Sequence, residues 1–64
     1  MRVQILKIHK KDAFFLDSDK LIGEIGELID ANSVSEHGYT NAHIKLDGNP
    51  VVLFFYAVKY KEIK

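Results

Sequence analysis

Residues 21–33, LIGEIGELIDANS, decide the architecture, because this stretch fits either a helix or the approach to a strand. The helical interpretation rests on apolar residues spaced along one helical face, which are Leu21, Ile22, Ile25, Leu28 and Ile29. Against it, Gly23 and Gly26 lie inside the helix, and each glycine costs about 1 kcal/mol relative to alanine. A segment of about three turns is already marginal alone.

A strand accommodates both glycines. Gly23 and Gly26 then form a close approach in which positive φ costs little, and residues 27–31 form a short strand. We therefore expect at most one helical turn within residues 21–31. The alternative is an α+β fold with one helix over about residues 19–31.

The flanking segments predict further strands. Residues 2–9 and 13–16 are rich in β-branched, aliphatic and aromatic residues and indicate a hairpin. Residues 39–46 alternate apolar with polar side chains, which is typical of a half-buried strand. The turn signal DGNP at 47–50 leads into a long apolar strand at 51–60.

Five strands joined by short turns favour closure into a small barrel, because closure removes sheet edges. The prediction is a single mainly β domain over residues 1–64, a five-stranded SH3-like or OB-like barrel. Its expected core is Ile5, Leu6, Ile8, Phe15, Leu28, Ile44, Leu46, Leu53, Phe55 and Val58.

The order of these segments resembles a known group of barrels. The chain resembles SH3-like small barrels of the KOW-like type in the order of its segments, which are IGEIGELID, a polar loop ending in HGY, AHIKLDG and a long last strand. The resemblance covers residues 22–63 and implies a fold, not a function. The loops here are acidic, unlike those of the nucleic-acid-binding members.

Composition bounds the class of protein. The chain has 47% hydrophobic and 28% charged residues, zero formal net charge and no cysteine, as expected of a globular domain without disulfides. No apolar run is long enough for a membrane span and no signal peptide follows Met1, so we expect a cytoplasmic protein with no membrane partner. Eight lysines against one arginine are common in AT-rich genomes, including those of many phages.

No motif for catalysis, metal or cofactor is present. His37 and His43 are six residues apart, which does not place both on one metal as a helical H-x-x-x-H does. The acidic loops lack the pattern of a calcium loop, the serines lack a nucleophile setting, and GEIGEL lacks the lysine of a phosphate loop. We therefore expect a non-enzyme with no cofactor and no metal.

Two binding hypotheses remain. The leading one is a module that docks on another protein, either a host or pathway partner or its own copy. The expected contact residues lie in loops and are Tyr39, His37, Glu36, Asp17 and Asp19. The alternative is nucleic-acid binding through the terminal strands. Its patch comprises Lys7, Lys10, Lys11, Lys59, Tyr60, Lys61 and the terminal Lys64.

Overall fold

A computed structural model describes residues 1–10, 18–34 and 37–63. Its elements are β1 (Arg2–Ile8), a single-turn helix α1 (Ser18–Leu21), β2 (Ile25–Val34), β3 (Thr40–Leu46) and β4 (Leu53–Glu62). Each strand pairs antiparallel with the next, and β4 pairs with β1, so the sheet closes as a barrel in the order β1-β2-β3-β4. Within these ranges, no helix has the length and apolar character needed to cross a bilayer.

The ambiguous stretch resolves in favour of the strand. The helix ends at Leu21, the chain turns at Gly23 with φ of 89°, and β2 begins at Ile25. The prediction of at most one helical turn is confirmed, and the helix over 19–31 is wrong. β2 is also longer than the expected 27–31, because pairing with β3 continues to Val34.

The expectation of a positive φ at Gly26 is wrong, because its φ lies outside that region. A glycine is needed there for a different reason. Its position in β2 faces Val3 of β1 on one side and Leu46 of β3 on the other. A Cβ there would lie 2.4 Å from the carbonyl oxygen of Lys45 and 2.7 Å from Cα of Leu46. The glycine therefore lets the backbone of β3 approach β2 closely.

The described residues contain four strands, not the five predicted. The fifth, at 13–16, falls outside the described residues, as does Phe15 of the expected core. The strands expected at 39–46 and 51–60 are confirmed within two residues at each end. The turn between them contains Gly48 with φ of 81°, which suits a residue without a Cβ.

The core fills the inside of the barrel. Its buried members are Val3, Ile5, Ile8, Ala42, Ile44, Leu46, Phe55 and Val58, and Leu28 and Leu53 pack against them while partly exposed. One expected core residue is wrong: Leu6 is 47% exposed. Ile5 pairs with Tyr60 and Lys7 with Lys59, so Leu6 is an extra residue in a β-bulge and points away from the core. Val3 and Ala42 were not in the predicted core.

Candidate functional site

Three aromatic side chains form a continuous row on the outside of β3 and β4. The rings of His43 and Phe54 have centroids 4.5 Å apart, and those of Phe54 and Tyr56 meet edge to face at 4.8 Å. Because Phe55 points into the core, its neighbours in the strand point outward. Phe54 is 37% exposed and Tyr56 62% exposed. We call His43, Phe54 and Tyr56 the aromatic row.

A second cluster lies beyond the start of β3 and surrounds Tyr39. The ammonium of Lys59 is 4.8 Å from the centroid of the Tyr39 ring, and the His9 ring meets it edge to face at 5.1 Å. Lys7 lies directly opposite Lys59 on the neighbouring strand. We call Lys7, His9, Tyr39 and Lys59 the basic corner.

A β-bulge in β4 turns Lys59 outward. Thr40 pairs with Val58 and Ala42 with Phe55, so three steps along β4 match two along β3. In a regular strand, alternation from the buried Phe55 would point Lys59 into the core. The extra residue points Val58 inward instead.

A hydrogen bond ties the end of β1 to this bulge. The His9 amide donates to the carbonyl oxygen of Ala57 at 3.0 Å. This bond continues the pairing of β1 with β4 beyond Ile8. The basic corner therefore combines side chains from the end of β1, the turn before β3, and β4.

Tyr39 of the basic corner and His43 of the aromatic row point to the same side of the sheet. Ala42, Ile44 and Leu46 are buried, so the alternate residues face outward, and the same alternation carries on to Tyr39. Tyr39 and His43 are four residues apart, which corresponds to about 13 Å along a strand. Asn41 lies between them, and its Oδ1 is buried without a hydrogen-bond partner among the described residues.

Charge is distributed unevenly between the two ends of the barrel. At the end where β1 begins, Nη1 of Arg2 donates to Oδ1 of Asp47 at 2.8 Å, and Nη2 donates to Oδ2. The Met1 amine is 2.9 Å from Oε1 of Glu27. In contrast, no ion pair neutralises Lys7 or Lys59 within the described ranges.

The Arg2 and Asp47 contact shifts both groups toward their charged forms. The hydrogen bonds from Arg2 hold the pKa of the Asp47 carboxyl below its ordinary value, and the carboxylate raises the pKa of Arg2. Both side chains are exposed, so solvent screens the attraction. The pair therefore keeps Asp47 charged and leaves that end of the barrel close to neutral.

The structure places the predicted loop residues that it describes on α1 and in the turn before β3. Tyr39 is half-buried in the basic corner, His37 is exposed in the preceding turn, and Asp19 is exposed on α1. Glu36 and Asp17 lie outside the described residues. Of these residues, Tyr39 belongs to the basic corner.

The predicted basic patch is partly assembled. Lys7 and Lys59 meet across β1 and β4, Lys61 pairs opposite Gln4, and Lys10 is exposed beyond the end of β1. Tyr60 is partly buried and packs against the core. It therefore lies on the inner side of β4, whereas the lysines that flank it in sequence are on the outer side. Lys11 and Lys64 lie outside the described residues.

The aromatic row was not among the predicted binding residues, although the sequence carried a signal for it. Placing Leu53 and Phe55 on the inner face of the last strand already requires Phe54 and Tyr56 to face outward. The sequence carries no such signal for His43, because only the pairing of β3 with β4 brings it beside Phe54.

Within the described ranges, no group of three or more His, Asp or Glu side chains is placed to hold a metal ion. Comparison of the chain with protein-family profiles, with curated proteins and with solved structures gives no match. The surface described above is therefore the basis for assigning a function.

Proposed function

We propose that the chain is a non-enzymatic binding module that docks on another protein through the aromatic row. The observation that carries this proposal is the chain of ring contacts from His43 through Phe54 to Tyr56 on the outside of a closed sheet. Aromatic side chains dominate the energetics of protein interfaces, since they bury a large area and lose little conformational entropy.

The surroundings of the row support a protein as the partner. Val52, two residues before Phe54, is 43% exposed, and Ile29 is 56% exposed in a β2 bulge beside the residue that pairs with His43. Aliphatic side chains around exposed rings make a contiguous apolar area, which is typical of a protein contact. The binding energy is thus expected to come from the sheet face, with the loop residues Tyr39, His37, Glu36, Asp17 and Asp19 at its margin.

The test is photocrosslinking in the cells that produce the protein. A photoreactive amino acid replaces Tyr56, and the same amino acid replaces Ile22 as the control, since Ile22 is exposed in the turn before β2. We expect one discrete protein adduct from position 56 and none from position 22. An adduct with the chain itself identifies the partner as a second copy.

Affinity for the captured protein then measures the contribution of the row. Phe54→Ala should weaken binding by about thirtyfold or more, as expected of an interface hot spot. Ile22→Ala is the matched control, because Ile22 is 44% exposed but lies in the turn before β2. Equal effects of the two substitutions would contradict docking through the row.

Nucleic-acid binding is the second candidate, and the basic corner is the observation that favours it. Lysine and tyrosine side chains in contact suit a single strand, since phosphates pair with ammonium groups and bases stack on exposed rings. Titration of labelled single- and double-stranded DNA and RNA tests it. Each phosphate contact should add about 0.7 to 0.9 to the slope of log affinity against log salt. Loss of binding in Lys59→Glu with Lys61→Glu would support this candidate.

We further propose that the barrel is of the SH3-like, KOW-like type, and that the protein acts in the cytoplasm, with a phage as its source. The closed antiparallel sheet and the glycine-containing approach to β2 support the barrel type. The lysine-rich, arginine-poor composition supports the source. An experimental structure of the whole chain tests the barrel type through its strand count and order.

A further inference from the structure

We infer that the protein segment bound by this module is acidic at one end and apolar at the other, with a carboxylate between Lys7 and Lys59 and an apolar anchor on the aromatic row. This inference rests on the proposed function and adds the chemistry of the partner. Its basis is the placement, at a fixed distance from the row, of two lysines that no ion pair among the described residues neutralises.

The basic corner carries an electrostatic cost that an acidic partner would relieve. Like charges directly opposite each other on neighbouring strands destabilise a sheet, and Lys7 faces Lys59 in this way. The described residues place no carboxylate in an ion pair with either lysine, although the opposite end of the barrel is neutralised by such pairs. A carboxylate from a partner would bridge the two ammonium groups.

The Lys59 side chain is held in position for such a contact. Its ammonium lies over the Tyr39 ring, and a Cβ at Gly38 would be 3.7 Å from its Cε, so the lysine stem passes close to the loop backbone. The His9 ring also contacts the Tyr39 ring, edge to face. Because these contacts limit the freedom of the side chain, less entropy is lost when a carboxylate binds.

The spacing of the two clusters defines the motif. Tyr39, just before β3, and His43, within it, are separated by about 13 Å of extended chain, and an extended peptide covers this distance in about four residues. The expected ligand is therefore an aromatic or aliphatic anchor about four residues from one or more Asp or Glu.

Charge around the row favours a peptide over a nucleic acid. Asp30 pairs directly opposite His43, so a carboxylate borders the row. A nucleic-acid strand has a phosphate at every residue and would bring one close to Asp30 as it followed the row. A peptide can carry negative charge at the basic corner alone.

The experiment is a selection of displayed random peptides of about 12 residues, long enough to span both clusters. The intact chain is the target, and Phe54→Ala is used for counter-selection. We expect enriched peptides to contain an apolar anchor with Asp or Glu three to five residues away. Their affinity should fall about tenfold or more in Lys7→Glu with Lys59→Glu, and the loss should be smaller at high salt.

The control is Lys20→Glu with Lys45→Glu, which changes the net charge equally at two exposed positions outside the basic corner. It should reduce the affinity less than about threefold. Thermal melting of both double variants verifies that they fold. If Lys7→Glu with Lys59→Glu does not fold, the neutral variant Lys7→Gln with Lys59→Gln replaces it in the affinity measurement.

Four results would overturn the inference. Enriched peptides without an acidic residue, or with equal loss of affinity in the two double variants, would contradict it and leave the proposed function intact. Absence of any peptide that prefers the wild type over Phe54→Ala would contradict both. Micromolar binding of a single-stranded oligothymidine that is lost in Lys7→Glu with Lys59→Glu would make nucleic acid the occupant instead.

Discussion

Among single residues, Gly26 shows how the absence of a side chain shapes the barrel. Its φ lies outside the left-handed region, so what matters at this position is space against the backbone of β3. The carbonyl oxygen of Lys45 and Cα of Leu46 occupy the volume that a Cβ would need. Backbone atoms cannot rotate aside as a side chain can, so a larger residue must displace the strand.

Gly26→Ala should therefore destabilise the protein by about 1–3 kcal/mol, the usual cost of overpacking. Urea unfolding measures the loss, and amide hydrogen exchange in β3 should become faster near Leu46. Gly48→Ala is the control, because Gly48 has positive φ but no atom within 4 Å of its added Cβ. Gly48→Ala should lower the free energy of unfolding but leave amide hydrogen exchange in β3 unchanged. A higher melting temperature for Gly26→Ala would instead indicate a helix.

Substitution of Asn41 is expected to increase the stability of the protein. Its Oδ1 is buried with no hydrogen-bond partner in the described part of the chain, and asparagine is disfavoured in strands. Asn41→Val should raise the free energy of unfolding by about 1 kcal/mol. Asn49→Val should lower it, because Oδ1 of Asn49 accepts a hydrogen bond from the Val51 amide at 3.0 Å. A loss of stability in Asn41→Val would mean that the carboxamide is paired in solution.

At the scale of elements, β-bulges decide which side chains reach the surface. Extra residues occur in β1 at Leu6, in β2 at Ile29 and between Ala31 and Val34, and in β4 between Phe55 and Val58. Each shifts the alternation of its strand by one residue, so side chains beyond it change faces. The outward direction of Lys59 and the inward direction of Tyr60 both follow from the bulge in β4.

The Arg2 and Asp47 pair joins β1 to the turn between β3 and β4, and it makes stability depend on pH. Since the pKa of Asp47 is lowered in the folded state, its contribution is present above the ordinary carboxyl pKa and is lost as pH falls through the lowered value. The stability difference between wild type and Asp47→Asn should therefore be larger at neutral pH than at about pH 2.5.

Urea unfolding at both pH values measures this difference. In an Arg2→Gln background, Asp47→Asn should have a smaller effect and a weaker pH dependence, because the hydrogen-bond donor has been removed. The same difference at both pH values would show that the pair does not persist in solution.

For the whole molecule, stability depends on one small core. A domain of this size rarely gains more than about 3–5 kcal/mol from its core, and among the described residues Phe55 is the largest fully buried side chain. Phe55→Ala should cost about 3–5 kcal/mol and leave the chain largely unfolded. Phe54→Ala, on the outer face of the same strand, should cost less than about 1.5 kcal/mol. Circular dichroism with urea unfolding compares them, and similar losses would place both faces of β4 in the core.

Local features of the sequence were sufficient to predict the β class, the strand after Gly26, the turn at 47–50 and most of the core. Alternation of apolar side chains and turn residues act over a few positions, so these features could be recognised without the fold. The prediction that Leu53 and Phe55 face inward also implied an outer face for Phe54 and Tyr56.

Tertiary structure alone decided the composition of the binding surface. Lys7 meets Lys59, and His9 meets Tyr39, because the first strand pairs with the last and closes the barrel. Bulges then exposed Leu6, turned Tyr60 inward and pointed Lys59 toward the ring of Tyr39. Register and bulge positions are set by the packing of all four described strands around one core, so no local pattern within any one strand specifies them.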